Sequence, residues 1–108
     1  MRFCFTFRPR FSSAVKAAFL DRDGVINVDY AYVHSRENFH FIPGALEGAA
    51  ELVRKGHQLI IVTNQSGIGR GKYSIDQFRE LTFWLAGVFA RNHAPLSAVY
   101  FCPHHPTC

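Results

Sequence analysis

Ala17-Ala18-Phe19-Leu20-Asp21-Arg22-Asp23-Gly24 is the stretch on which the reading of this chain turns. Four apolar residues in a row, with no polar residue between them, predict a short strand buried on both faces. The Asp-Arg-Asp-Gly that follows at once predicts a polar turn at its carboxyl end. Strands of that kind belong to parallel sheets covered by helices, and such sheets bind ligands beyond the carboxyl ends of their strands. Asp21 and Asp23 therefore stand where chemistry is done. Two carboxylates so close suit a hard divalent cation such as Mg²⁺, which accepts one or two carboxylates, waters and phosphate oxygens. They also suit phosphoryl transfer, one attacking phosphorus while the other handles the proton of the leaving oxygen. Asp-x-Asp-Gly is equally good chemistry for a solvated turn, and spacing alone leaves the two readings level.

Working outward, residues 28–42 are mixed and aromatic, with Tyr30, Tyr32, Phe39 and Phe41, and read as a long loop or flap. Pro43-Gly44 opens a helix with apolar positions Leu46, Ala49, Ala50 and Val53, and Gly56 stands where a left-handed residue would end it. Leu59-Ile60-Ile61-Val62 is a second buried strand, running into Thr63-Asn64-Gln65-Ser66-Gly67. Thr63 and Asn64 offer a hydroxyl, an amide and backbone N–H groups to phosphate oxygens, and the glycine-rich loop to Tyr73, carrying Arg70 and Lys72, resembles an anion-binding nest. Ser74 and Gln77 form a capping-box pair, and Phe78, Leu81, Leu85 and Val88 continue a helical stripe that Asn92 and Pro95 stop. Ala98–Phe101 is a third short strand, followed by Cys102-Pro103-His104-His105-Pro106-Thr107-Cys108. The expected fold is α/β: a Rossmann-like parallel sheet with helices on both faces, truncated after the third strand, with three strand-end motifs converging on one site.

At 108 residues the chain has room for one domain, and 48% hydrophobic against 19% charged residues is the balance of a globular protein, not a disordered one. The net charge of +4 is uneven. Arg2, Arg8, Arg10 and Lys16 lie in the first twenty residues without an acid, while the remainder holds eight basic and eight acidic residues. The body is neutral, so a nucleic-acid partner is not expected. Residues 1–14 form a basic, Phe-rich leader, read as an upstream start or a short extra strand, outside the core of the 15–108 domain. The longest stretch free of polar and charged side chains, Phe83–Ala90, is far short of the roughly 20 residues a membrane span needs, so no membrane partner is expected. Cys4, Cys102 and Cys108 are too few and too scattered for a disulfide framework, which points to a reducing, cytoplasmic setting.

Taken together, the motifs are far more specific than any one of them. An apolar strand ending in Asp-x-Asp-Gly, then one ending in Thr-Asn about forty residues later, resembles the haloacid dehalogenase superfamily of phosphatases. Within it, Phe19-Leu20-Asp21-Arg22-Asp23-Gly24-Val25-Ile26-Asn27, then Val62-Thr63-Asn64-Gln65-Ser66-Gly67-Ile68-Gly69-Arg70-Gly71, then Cys102-Pro103-His104-His105-Pro106, are similar to the D,D-heptose 1,7-bisphosphate phosphatases. The resemblance implies an aspartyl-phosphate mechanism, with Asp21 as nucleophile and Mg²⁺ ligand and Asp23 as general acid/base whose backbone carbonyl also reaches the metal. It implies that Thr63 binds the transferring phosphoryl group, that Asn64, Gln65 and Ser66 complete the substrate contacts, and that Asp29, Tyr30, Ala31 and Tyr32 line the sugar pocket. Arg70 suits the substrate's second phosphate. Cys102 and His104 would be two of four ligands of a structural Zn²⁺, with His105 and Cys108 as readily loop residues.

The family pattern continues beyond the Cys-Pro-His-His segment to a Cys-x-Cys pair, a Lys and a Gly-Asp segment that this chain does not contain, and Val25 replaces a more usual Thr. The zinc site is therefore expected to be incomplete and the activity of the 108-residue chain alone doubtful. The expected substrate is a small phosphorylated sugar, handled by a monomer when complete. The alternatives are a histidinol-phosphate phosphatase, or a non-catalytic truncated fragment of such an enzyme.

Overall fold

The computed structural model describes residues 3–7 and 16–104. In chain order the elements are β1 (Phe3–Thr6), β2 (Lys16–Leu20), a 3₁₀ turn (Arg36–Asn38), α1 (Ala45–Arg54), β3 (His57–Asn64), α2 (Ser66–Gly69), α3 (Ile75–Arg91) and β4 (Leu96–Cys102). They build one sheet in the order β1-β4-β3-β2. β2, β3 and β4 are parallel, as their unbroken apolar runs predict, and β1 adds antiparallel to the outer side of β4.

Within the expected α/β fold, the two helices that cross over the sheet lie on one face of it among the described residues. Both crossovers, β2 to β3 through α1 and β3 to β4 through α3, step in the same direction across the sheet. Right-handed connections then place both helices on one face. Side-chain alternation agrees: Leu59 and Ile61 join a core with Ala49 of α1 and Phe78, Leu81, Leu85 and Phe89 of α3. On the opposite face Phe19 is 67% and Val62 41% exposed. β2, whose Ala17–Leu20 run reads as a buried strand, is an edge strand among the described residues.

Where it is described, the leader is the short extra strand of the sequence reading, packed on the core instead of outside it. Phe5 and Phe7 pack against the core, and the Phe5 ring stacks on Phe101 at 5.4 Å and 15°. The reason is period two: Phe3, Phe5 and Phe7 alternate with Cys4 and Thr6, the signature of a strand with one apolar face. Residues 8–14 lie outside the described part.

Local signals act where the sequence places them. Gly56 takes φ 93° just beyond α1, a conformation costly for any residue with a Cβ. The capping box of Ser74 and Gln77 is formed at both of its bonds and starts α3. Residues 26–42 form a flap closed at its base by backbone bonds from Val28 N to His40 O and from Ile42 N to Ile26 O, both 2.8 Å. Phe39 and Phe41 from this base meet Trp84 of α3 at 5.6 and 6.3 Å, which fixes the flap over the strand ends. Among the described residues no helix is long and apolar enough to cross a membrane.

Candidate active site

The carboxyl ends of β2 and β3 open into a cavity of about 330 Å³ lined by Asp21, Asp23, Thr63, Asn64, Gln65 and Ser66, with Asp29, Ala31 and Tyr32 from the flap and Gly67 and Tyr73 from the glycine-rich loop. Parallel pairing explains the convergence: Leu20 stands in register with Ile61, so the chain leaves both strands at the same edge of the sheet. A larger cavity of about 430 Å³ lies between the flap and α3, lined by His34, Arg36, Glu37, Glu80 and Trp84, away from both strand ends.

The two carboxylates differ in their surroundings. Asp21 is exposed, and its Oδ1 accepts the Arg22 backbone N–H at 2.9 Å. Asp23 is held from three sides. Arg22 Nη2 donates to Oδ1 and Oδ2 at 2.9 and 3.2 Å, Asn27 Nδ2 to Oδ1 at 2.9 Å, and Gln65 Nε2 to Oδ2 at 3.1 Å. The turn that aims it is compact: the Arg22 carbonyl accepts N–H groups from Val25, Ile26 and Asn27. One carboxylate is thus open to a ligand and the other oriented.

Gln65 is 3% exposed and its amide is fully engaged. Its Nε2 donates to Asp23 and, at 2.9 Å, to Thr63 Oγ1, while its Oε1 accepts from the Tyr73 hydroxyl. Gln65 lines the cavity as expected, and each polar atom of its amide has a partner within the protein, which gives the side chain an orienting role. Thr63 gains from this: its oxygen accepts from Gln65, so its own proton is left to donate to a phosphate oxygen. Burial pushes the Tyr73 phenol up to about 12, so it remains a donor throughout the ordinary pH range.

The flap wall is built under strain. Ala31 and Tyr32 both have positive φ, 65° and 57°, which costs residues with a Cβ roughly 1–2 kcal/mol each. Asp29 Oδ1 accepts the Ala31 N–H at 3.0 Å and supports this turn. Gly67 lies against the rings of Tyr32 and Tyr73: a Cβ there would stand 2.8 Å from Tyr32 Cδ1 and closer still to Tyr73. Only glycine admits both rings to the wall.

Not every predicted residue reaches the cavity. Tyr30 turns away, its hydroxyl 2.9 Å from His40 Nδ1, and Arg70 is exposed just beyond α2, outside the lining. The residues that sequence reasoning missed are Arg22, Asn27, Gly67 and Tyr73. The first two carried no signal beyond lying within or just after the Asp-x-Asp-Gly turn.

The donor set fits Mg²⁺. An exposed carboxylate on Asp21, with Asp23 next to it and open space for water and a phosphate group, is the hard-oxygen arrangement this ion takes. The expected zinc ligands Cys102 and His104 lie at and just beyond the end of β4, where Cys102 is buried and His104 exposed. No group of three or more His, Cys, Asp or Glu gathers as a metal site among the described residues. His105 and Cys108 lie outside them.

No protein-family model matches the chain. Curated relatives do. A D-glycero-beta-D-manno-heptose-1,7-bisphosphate 7-phosphatase from Haemophilus influenzae is 51% identical over 90 residues, 83% of this chain and 49% of the relative. The enzyme of that name from Vibrio cholerae is 53% identical over 92 residues, 85% of this chain and 50% of the relative. Among solved structures, D,D-heptose 1,7-bisphosphate phosphatase from B. bronchiseptica, complexed with magnesium and phosphate, superposes with a TM-score of 0.80 at 32% identity over 85% of this chain and 52% of that one. A HAD-like phosphatase from Mesorhizobium loti gives 0.85 at 30% identity over 96% of this chain and 50% of that one. The chain spans about half the length of the curated relatives it matches, and its likeness is to their N-terminal part. Its fold is that of HAD-like phosphatases.

Proposed function

We propose that this chain carries the phosphoryl-transfer site of a Mg²⁺-dependent phosphatase that removes the 7-phosphate of D-glycero-D-manno-heptose 1,7-bisphosphate through an aspartyl-phosphate. The observation that carries the reading is the meeting of an exposed Asp21, an oriented Asp23 and the Thr63 hydroxyl in one cavity at the strand ends. The names of the relatives support the substrate.

In the first step an Asp21 oxygen attacks phosphorus. The bond from phosphorus to the sugar oxygen breaks, its electron pair stays on that oxygen, and Asp23 supplies the proton. In the second step water attacks the same phosphorus, Asp23 takes a proton from it, and the bond to Asp21 breaks to release inorganic phosphate. Thr63 donates to a phosphoryl oxygen in both steps, as its acceptor role toward Gln65 leaves it free to do. Held by Asp21 and Asp23, Mg²⁺ would supply charge neutralisation for the phosphoryl oxygens. Asp29, Ala31 and Tyr32 form the wall that faces the sugar, and Arg70 is the cation for the distal phosphate.

A second reading, binding without turnover, is favoured by the open β2 edge. Asp21 leaves an edge strand whose outer side has no partner strand among the described residues.

The deciding experiment is release of inorganic phosphate from the bisphosphate by the purified 108-residue chain with Mg²⁺, read by ³¹P NMR so that the site of cleavage is seen. Turnover at C7 supports the first reading. Saturable binding of inorganic phosphate without turnover supports the second, and the absence of both overturns the two together.

A further inference from the structure

We propose that Arg22, the spacer of Asp-x-Asp-Gly, is a positioning residue that ties the Asp23 carboxylate to the floor of the flap. The inference rests on the phosphatase reading for its kinetic consequence, but not for the tether itself.

Arg22 is 3% exposed, although a guanidinium stays charged and is costly to bury unless well paired. Its pairing is concentrated on one atom. Nη2 reaches both oxygens of Asp23 and also donates at 2.8 Å to the carbonyl of Val33, eleven residues away in the flap. Val33 is itself 3% exposed and follows directly on the left-handed pair Ala31-Tyr32 that walls the cavity. The rings of Phe39 and Phe78 lie 5.7 and 5.9 Å from the guanidinium carbon and confine it between the flap base and α3. Its Nε is buried without a hydrogen-bond partner.

A group retained only for stability would be expected to satisfy all its donors or to be replaced by an apolar side chain. Arg22 instead sacrifices one donor so that a single nitrogen joins a carboxylate to a backbone carbonyl. Its backbone N–H meanwhile bonds Asp21 Oδ1, so this one residue touches both acids of the motif. A fixed fork between two aromatic rings moves little, and the acid therefore keeps a constant relation to the wall that faces the sugar.

The test compares wild type, Arg22→Met and Arg22→Lys in the full chain by amide hydrogen exchange and by turnover with Mg²⁺ and the bisphosphate. Arg22→Met fills the slot between the rings but deletes the tether. Exchange of the amides of residues 29–35 should quicken about tenfold while β3 and α3 stay at the wild-type rate. The kcat should fall roughly a hundredfold, as a misplaced catalytic group costs, and Arg22→Lys should restore part of both. Wild-type exchange at 29–35 in Arg22→Met overturns the proposal. So does an acceleration spread equally over β3 and α3, which would make Arg22 a structural residue. If Arg22→Met fails to fold, Arg22→Lys decides on the same amides. If the wild type shows no turnover, the phosphatase reading fails while the exchange result still decides the tether.

Discussion

Gln65 Nε2 lies 3.1 Å from Asp23 Oδ2, so an amide on the loop after β3 orients a carboxylate on the loop after β2 across 42 positions of sequence. The same nitrogen bonds Thr63, and the amide oxygen is held by Tyr73. One planar group thus sets the acid, the phosphate-facing hydroxyl and the aromatic wall at once. Gln65→Leu keeps the volume and removes all of this. The buried Tyr73 hydroxyl would lose its acceptor, and urea unfolding should show a loss of about 1–3 kcal/mol. Unchanged stability would mean that the amide is not held as described.

Asp21→Asn should abolish phosphate release, because the amide can neither attack phosphorus nor offer charge to Mg²⁺. Asp23→Asn should leave phosphate affinity nearly intact and slow turnover by about 10² to 10⁴, the usual worth of a positioned acid. Steady-state and single-turnover assays on the two variants separate the roles. Wild-type activity in Asp21→Asn removes the nucleophile assignment.

The buried phenol of Tyr73 predicts an alkaline limit. Its value of about 12 lies above the ordinary 10.0, raised chiefly by burial. The phenol is neutral in both folded and unfolded chains below pH 10, and there its contribution to stability is fully present. As pH rises from 10 through 12 the unfolded chain ionises first and that contribution is lost. Phenolate absorbance should show Tyr73 titrating late, after the exposed tyrosines, and Tyr73→Phe should remove that late step. If all four tyrosines titrate together near 10, the phenol is not buried as described.

Phe19 and Val62 are exposed apolar side chains on the face opposite α1 and α3, beside a β2 edge that has no partner strand among the described residues, a combination that favours association of sheets. The chain should therefore self-associate as its concentration rises. Phe19→Lys, which sets a charge on that edge strand, should shift sedimentation toward monomer without altering the circular dichroism. Identical sedimentation of the two chains would place the contact elsewhere.

Much of this molecule was determined by local sequence. Period-one apolar runs mark where β2, β3 and β4 lie, although only β4 is buried nearly throughout. Ser74-Gln77 and Gly56 mark helix ends because the backbone groups there have few ways to be satisfied. Asp21 and Asp23, just after β2, and Thr63, near the end of β3, were legible because motifs at the carboxyl ends of parallel strands meet at one edge. Tertiary structure alone decided the rest. Whether a helix lies on one face or the other depends on the direction of each crossover, which no residue encodes by itself. The period-two phenylalanines of the leader suit a strand, but only the fold supplies the β4 edge and the Phe101 ring that fix its place. Arg22 and Gln65 show the limit most clearly, since their side chains act on partners eleven and 42 residues away, and only a folded chain brings those partners within hydrogen-bonding distance.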